Sequence, residues 1–552
     1  MKKAAAVSVA ALLVTSSLPQ TAFAMGPGGQ EPTATPIKHL VVIFQENVSF
    51  DHYFATYPNA LNPSGEPRFW ARPGTPTVNG LTEGLLTNNP NANNPANNLG
   101  TSNNGQVNPF RLDRSQNFTA DQDHDYTPEQ AAFDFGLMDA FPLSVGVAGP
   151  PPTSGPNASI TSTQGLTMGY YDGNTVTAFW NYAQRYAIND NSYGTNFGPS
   201  TDGAVNLISG QLNGVTQDVN PGGATIGDGN GGTTLISDAD PVGDKCSTTT
   251  GETVQFGGKN IGDLLNAKGI TWGFFSGGFN LQTTNSNGTT GCKRNSTSTI
   301  TGASKADYVP HHQPFQYYTS TANPTHARPS SVEMIGSTDA ANHQYDLQDF
   351  YNAVSAGNLP AVSYLKAIGI QDGHAGYSSP LDEQSFVVNV INTLQHSRDW
   401  NSTAVVIAYD DSDGWYDHQL GQIVNQSATA ADIVKGNPSC GTGVNALPGV
   451  SAGTEHAQGR CGYGPRLPLL VISPWARSNF VDHTLTDQTS VLRFVEDNWL
   501  GGERIGQGSF DAIAGPLNNL FDFTHESNAG SYILDPSTGL VKQDGQGFGP
   551  AW

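Results

Sequence analysis

Unbroken apolar, β-branched runs alternate along this chain with amphipathic stretches. His39-Leu40-Val41-Val42-Ile43-Phe44 has the pattern of a strand buried on both faces, and it ends in Gln45-Glu46-Asn47. A second such run, Ala404 to Tyr409, ends in Asp410-Asp411, and a third spans Leu467 to Pro474. Shorter strand candidates are Gly269 to Phe275 and Ala361 to Leu365. Helical patterns lie between them. Asn260 to Lys268 is amphipathic and stops at Gly269. Asp382 to Ser397 gathers Phe386, Val387, Val390, Ile391 and Leu394, and Thr489 to Leu500 continues in the same style. The alternation predicts an α/β fold, a central mostly parallel sheet sandwiched by helices. Ligands in such sheets bind at the carboxyl ends of the strands, and acidic residues stand at two of those ends.

Long polar stretches interrupt the pattern. Segment 75–108 is rich in Asn, Gly and Pro, segment 201–258 in Gly, Asp and Thr, and 283–301 is similar. There is no fixed-period repeat. The strands on either side belong to one sheet, so the expectation is a single catalytic domain over 25–552 carrying three insertions.

The first residues have the form of an export signal. Lys2 and Lys3 precede an apolar run from Ala4 to Leu18, and Ala22-Phe23-Ala24 offers the small residues that signal peptidase needs. Cleavage is expected after Ala24, with the mature protein periplasmic or secreted. The twin-arginine variant is absent. No later stretch approaches the roughly 20 apolar residues of a membrane span. Acidic residues (47) outnumber Lys and Arg (24), which argues against a nucleic-acid partner. The same scarcity of cations means a phosphate substrate would need another positive charge. Four cysteines in an exported chain suggest two disulfides. Sequential pairing, Cys246–Cys292 and Cys440–Cys461, is expected, each bridge closing a loop-rich insertion. Three connectivities are open to four cysteines.

Four groups of residues carry chemistry. Glu46-Asn47 places two hard oxygen donors at a strand end, where the bland alternative is a polar helix cap. Asp410, Asp411, Asp413 and Asp417 would repel one another if packed without a cation. Trp415 and Tyr416 inside that cluster point to a pocket rather than a solvated turn. Gly198-Pro199-Ser200 presents a hydroxyl at a helix start, where it either meets an anion or merely caps the helix. His124, His311-His312 and His374 are the histidines of interest, with surface positions as their alternative.

Together these blocks resemble a known family. Glu46-Asn47-Val48-Ser49-Phe50-Asp51-His52-Tyr53-Phe54 is similar to the opening signature of the bacterial phosphoesterase family of secreted acid phosphatases and non-haemolytic phospholipases C. Further blocks follow in the family's order: His124 with Phe135 to Phe141, Met168 to Tyr171, Gly198-Pro199-Ser200, His311 to Phe315, Leu359 to Tyr364, Asp372-Gly373-His374, Tyr409 to His418 and Gly464 to Pro468. The resemblance covers about residues 37–500. It implies an alkaline phosphatase-like fold, with Glu46, Asn47, Asp410 and Asp411 binding one metal and Ser200 as nucleophile. It also implies that His124, His311, His312 and His374 line the phosphate pocket. Phospholipase members tend to carry Thr at the nucleophile position and to continue into C-terminal β-domains. Ser200, and an end about 50 residues after the resemblance stops near residue 500, favour the acid phosphatase branch.

The expected function is therefore a secreted, metal-dependent acid phosphatase acting on phosphomonoesters through a phosphoserine. The alternative is a phospholipase C-type phosphodiesterase acting on phosphatidylcholine-like lipids. A third reading, a Ca²⁺- and carbohydrate-binding surface protein, explains the acidic turns but neither Ser200 nor the histidines. The cofactor is one divalent metal, also bound by Ser200. An all-oxygen ligand set favours Ca²⁺, Mg²⁺ or Mn²⁺, and a nearby histidine would turn it toward Zn²⁺. Small phosphate esters or phospholipid head groups are the expected partners. Protonated His311, His312 or His374 would place the optimum between roughly pH 5 and 7.

Overall fold

A computed structural model describes residues 33–97, 106–147, 163–441, 447–450, 458–525 and 530–545. The expected export segment 1–24 lies outside them. The central sheet has eight strands: β1 (His39–Gln45), β2 (Ala187–Asn189), β3 (Trp272–Ser276), β4 (Gln344–Asp346), β5 (Val362–Lys366), β6 (Thr403–Tyr409), β7 (Leu469–Ile472) and β8 (Phe480–Asp482). Their order across the sheet is β4–β3–β5–β1–β6–β7–β2–β8. Five of the seven neighbouring pairs are parallel; the other two involve β7, which runs antiparallel to both β6 and β2. The fold is thus α/β and mostly parallel, as the continuous apolar runs predict.

Alternation along each strand divides the core. Val41 and Ile43 of β1 join Val405 and Ile407 of β6 on one face; Leu40, Val42 and Phe44 join Ala404, Val406 and Ala408 on the other. The first face is covered by helices α1 (Thr177–Arg185), α2 (Leu347–Ala356) and α3 (Pro380–Gln395). The second is covered by helices at Ser200–Ser209, Ile261–Lys268 and Thr489–Trp499. Helix α3 begins two residues before its expected start because Ser379 accepts the Asp382 N–H at 3.2 Å and Pro380 occupies the first turn.

Strands β2, β4 and β8 have three residues each and leave no readable apolar run. Segment 201–258 is not uniform loop. It opens with the buried helix Ser200–Ser209, and only beyond it come short strands such as Val215–Val219 and Thr253–Phe256, which pair antiparallel.

The cysteines pair sequentially, Cys246 with Cys292 and Cys440 with Cys461, at Cα separations of 5.2 and 6.1 Å. The first bridge ties segment 201–258 to segment 283–301. Reduction is expected to lower the melting temperature, each bridge contributing roughly 2–4 kcal/mol. Differential scanning calorimetry with and without reductant, with peptide mapping of the bridges, checks it. An unchanged melting temperature after complete reduction counts against a stabilising role. Among the described residues no helix is long and apolar enough to cross a membrane.

Candidate active site

The acidic residues meet because their strands are neighbours. β1 pairs in parallel with β6, Gln45 opposite Tyr409, so Glu46-Asn47 and Asp410-Asp411 leave the sheet side by side. β5 flanks β1 on its other side and ends in Lys366. Three adjacent carboxyl ends thus deliver Glu46, Asp410 and Lys366 to one place. The Lys366 ammonium is buried and donates to Glu46 Oε1. Asn47 adopts a left-handed backbone, φ 61°, a region that Asn tolerates better than most residues. Its N–H donates to Asp410 Oδ1 at 2.9 Å, and its side-chain NH₂ donates to Asp413 Oδ1 at 3.1 Å.

Ser200 comes from the opposite helical layer. Helix Ser200–Ser209 approaches the end of β6 so closely that a Cβ on Gly203 would lie 2.0 Å from the Asp410 carbonyl oxygen. Ser200 does not cap this helix, because Pro199 occupies that position. Its Oγ instead lies 3.1 Å from both Glu46 Oε2 and Asp411 Oδ2. Glu129 holds the Gly198-Pro199-Ser200 turn in place. It accepts the Gly198 N–H at 3.0 Å and the Ser412 hydroxyl at 2.6 Å, and burial raises its pKa to about 8.

All four histidines of interest surround this cluster. His312 Nδ1 is 3.2 Å from Glu46 Oε1. His124 Nε2 is 3.3 Å from the Asn47 amide nitrogen, and its ring meets that of His374 edge-on at 5.8 Å. His311 packs on His312 at 4.5 Å and lies 3.4 Å from Asp240 Oδ1 and 3.9 Å from Asp238 Oδ2. They differ in charge. Burial opposes protonation of His124, but Asp411, Asp413 and Asp121 outweigh it and hold its pKa well above the usual value. Burial also opposes that of His311, and Asp238 and Asp240 again raise it. For His312 and His374 burial wins, reinforced by neighbouring cations, and both are held neutral. This corrects the expectation that His312 or His374 carries the proton.

Two observations fit a cation among Glu46, Asn47, Ser200, Asp410 and Asp411. Asn47 Oδ1 and Asp410 Oδ2 are buried without a hydrogen-bond partner. Burial raises Asp411 to about 7, and burial with Glu46 and Asp411 raises Asp410 well above the carboxylate range, a cost that bound positive charge removes. Three other groups could hold a metal by proximity: Asp121–His124–His374–Asp413, Asp244–Cys246–His326 and Asp51–Asp417–His418. Each carries its own compensation. His124 is an imidazolium among its carboxylates, Cys246 is in a disulfide, and Arg466 pairs with both Asp51 and Asp417.

Lys366 and Glu129 escape a reading of motifs. Lys366 had one signal, a lone cation closing an apolar strand; Glu129 lies in a short helix (Tyr126–Phe133) and had none.

Residues 37–500 match the model of the phosphoesterase family. The chain is 23% identical over 542 residues to a non-hemolytic phospholipase C of Pseudomonas aeruginosa, covering 95% of this chain and 63% of the relative. It is likewise 23% identical to a non-hemolytic phospholipase C of Burkholderia pseudomallei, covering 97% and 66%. The match to phospholipase C A of Mycobacterium tuberculosis is 23% over 545 residues, covering 96% and 85%. The chain thus spans slightly under two thirds of the length of the first two. With a family match extending from β1 through the helix Thr489–Trp499, over a site whose parts come from the whole of that range, the chain belongs to the phosphoesterase family.

Proposed function

We propose that this chain is an exported, metal-dependent phosphomonoesterase of the acid phosphatase kind, working through a phosphoserine at Ser200, with 25–552 as one catalytic domain. The observation that carries it is the placing of the Ser200 hydroxyl, at a helix N-terminus, between two buried carboxylates beside two orphaned oxygens. Glu46, Asn47, Asp410, Asp411 and the Ser200 oxygen would hold a divalent ion, whose charge would stabilise a serine alkoxide and the phosphoryl oxygens. Ser200 attacks phosphorus, the ester oxygen leaves, and water then releases phosphate from the phosphoserine. Lys366 pairs with Glu46 and orients its carboxylate. His124 and His311 hold protons for the oxygens that gain charge, while neutral His312 and His374 can accept one.

The alternative is phosphodiester cleavage of the phospholipase C type. In its favour stand the printed names of the relatives and an apolar cavity by the nucleophile turn, lined by Phe133, Phe135, Phe197, Leu420 and Ile423. Rates on p-nitrophenyl phosphate and on phosphatidylcholine decide between them, with the metal-loaded protein. Monoester turnover far above lipid turnover is expected; the reverse ratio overturns the reading.

The sign of the pH dependence follows from His311. Burial opposes its protonation, but Asp238 and Asp240 outweigh burial and raise its pKa above the ordinary value of about 6.5, so it loses its proton at higher pH than a free imidazole does. Activity should fall on the alkaline side above that value. Asp240→Asn removes one stabilising charge, so that limb should move to lower pH. A limb that does not move in log(kcat/KM) against pH counts against His311 as the titrating group.

A further inference from the structure

Segment 283–301 returns to the core through a hairpin, Asn295–Thr297 against Ser304–Ala306. The hairpin is pinned at several points. Cys292 is bridged to Cys246, Arg294 pairs with Asp307 at 3.0 Å and Asp346 at 3.4 Å, and Ser298 Oγ donates to Asp382 Oδ2 at 2.7 Å. It lies against the turn after β5. A Cβ on Gly369 would come within 2.6 Å of both the Ala306 carbonyl oxygen and Lys305 Cγ, so glycine there admits the Lys305 stem. The Lys305 ammonium sits 3.7 Å from the centroid of the Tyr377 ring. Tyr377 stacks on His374 at 4.4 Å, and its hydroxyl donates to Asp372 Oδ2 at 3.2 Å.

Lys305, Tyr377 and His374 therefore form a row that ends in the histidines around Ser200. Among the described residues no carboxylate pairs with Lys305; its contact is an aromatic face. The chain has 24 basic residues against 47 acidic ones, so an ammonium without an acidic partner beside the reacting centre is conspicuous. Its charge reaches that centre: after burial and His124, Lys305 is among the groups that hold His374 neutral. Of the carboxylates around the centre its charge acts on Asp372, without pairing with it, so a cation fixed on a tethered hairpin at this position is left to meet an anion.

We propose that Lys305 is a substrate-selecting residue: its ammonium, held on Tyr377 beside His374, attracts the second negative charge of a phosphomonoester and so favours monoesters over diesters. The proposal rests on the monoester reading above. A diester carries one charge fewer at phosphorus and gains less from this ammonium. Lys305 is half-buried, so solvent limits the effect to about tenfold.

The test compares wild type, Lys305→Met and Lys305→Arg on p-nitrophenyl phosphate and bis(p-nitrophenyl) phosphate, with thermal melting alongside. Lys305→Met should raise the monoester KM about tenfold, with kcat and all diester constants within about twofold. Lys305→Arg should keep the wild-type preference. Inhibition by inorganic phosphate should weaken about tenfold in the Met variant, whichever substrate reports it. Equal losses on both substrates, or an unchanged monoester KM and phosphate inhibition constant at an unchanged melting temperature, overturn the assignment. A wild type that cleaves only the diester refutes the monoester reading; phosphate inhibition of diester cleavage then still decides for or against Lys305.

Discussion

Ser200→Ala is expected to lower phosphate release by about 10⁴-fold or more while the protein keeps its fold and still binds inorganic phosphate. The Ser200 side chain is buried, and its hydroxyl contacts two carboxylate oxygens rather than helix N–H groups. In the proposed mechanism, losing it removes the attacking atom, and no helix cap goes with it. The change also takes away a hydrogen-bond donor between Glu46 and Asp411, so a small shift in melting temperature is expected. Initial rates of p-nitrophenolate release measure the loss, and calorimetric titration with phosphate measures the retained binding. A variant that turns over at more than about one tenth of the wild-type rate would remove Ser200 from the nucleophile role.

Metal removal should have an effect of similar size, and the two adjacent aspartates should respond differently. Asp410 accepts the Asn47 N–H at 2.9 Å and the Asp411 N–H at 2.7 Å through one oxygen, leaving its buried Oδ2 without a partner. Asp410→Ala therefore loses a ligand and the turn that presents Asn47. It should lose more than about 100-fold in metal affinity and not recover activity with excess metal. Asp411 accepts the Asp413 N–H at 2.7 Å and meets Ser200 through its other oxygen. Asp411→Asn keeps the size of the group and one acceptor oxygen, so excess metal should restore part of its activity. Bound metal is read by elemental analysis after dialysis against chelator, in parallel with activity. A wild type that remains fully active when analysis finds no divalent ion would defeat the metal assignment.

The sequence by itself determined the elements whose burial is two-sided. β1 and β6 read as strands because both faces are buried and every position is apolar or close to it. The carboxylates after those strands read as a site because Trp415 and Tyr416 among four of them argue against a solvated turn. The nucleophile turn and the histidines were legible as motifs, each with a bland alternative of its own. Only the tertiary structure decided between the alternatives. That the Ser200 hydroxyl meets Glu46 and Asp411, 154 and 211 residues away in sequence, has no local signal. The three-residue strands β2, β4 and β8 exist because neighbouring strands supply their partners, not because of any local pattern. The charge of each histidine was equally hidden, since adjacent His311 and His312 move in opposite directions. His311 faces Asp238 and Asp240 from the insertion, whereas for His312 burial, reinforced by His311 and Lys366, prevails although Glu46 lies beside it. Periodicity reports which residues are buried; the protonation state of a buried group depends on which charges the fold brings beside it.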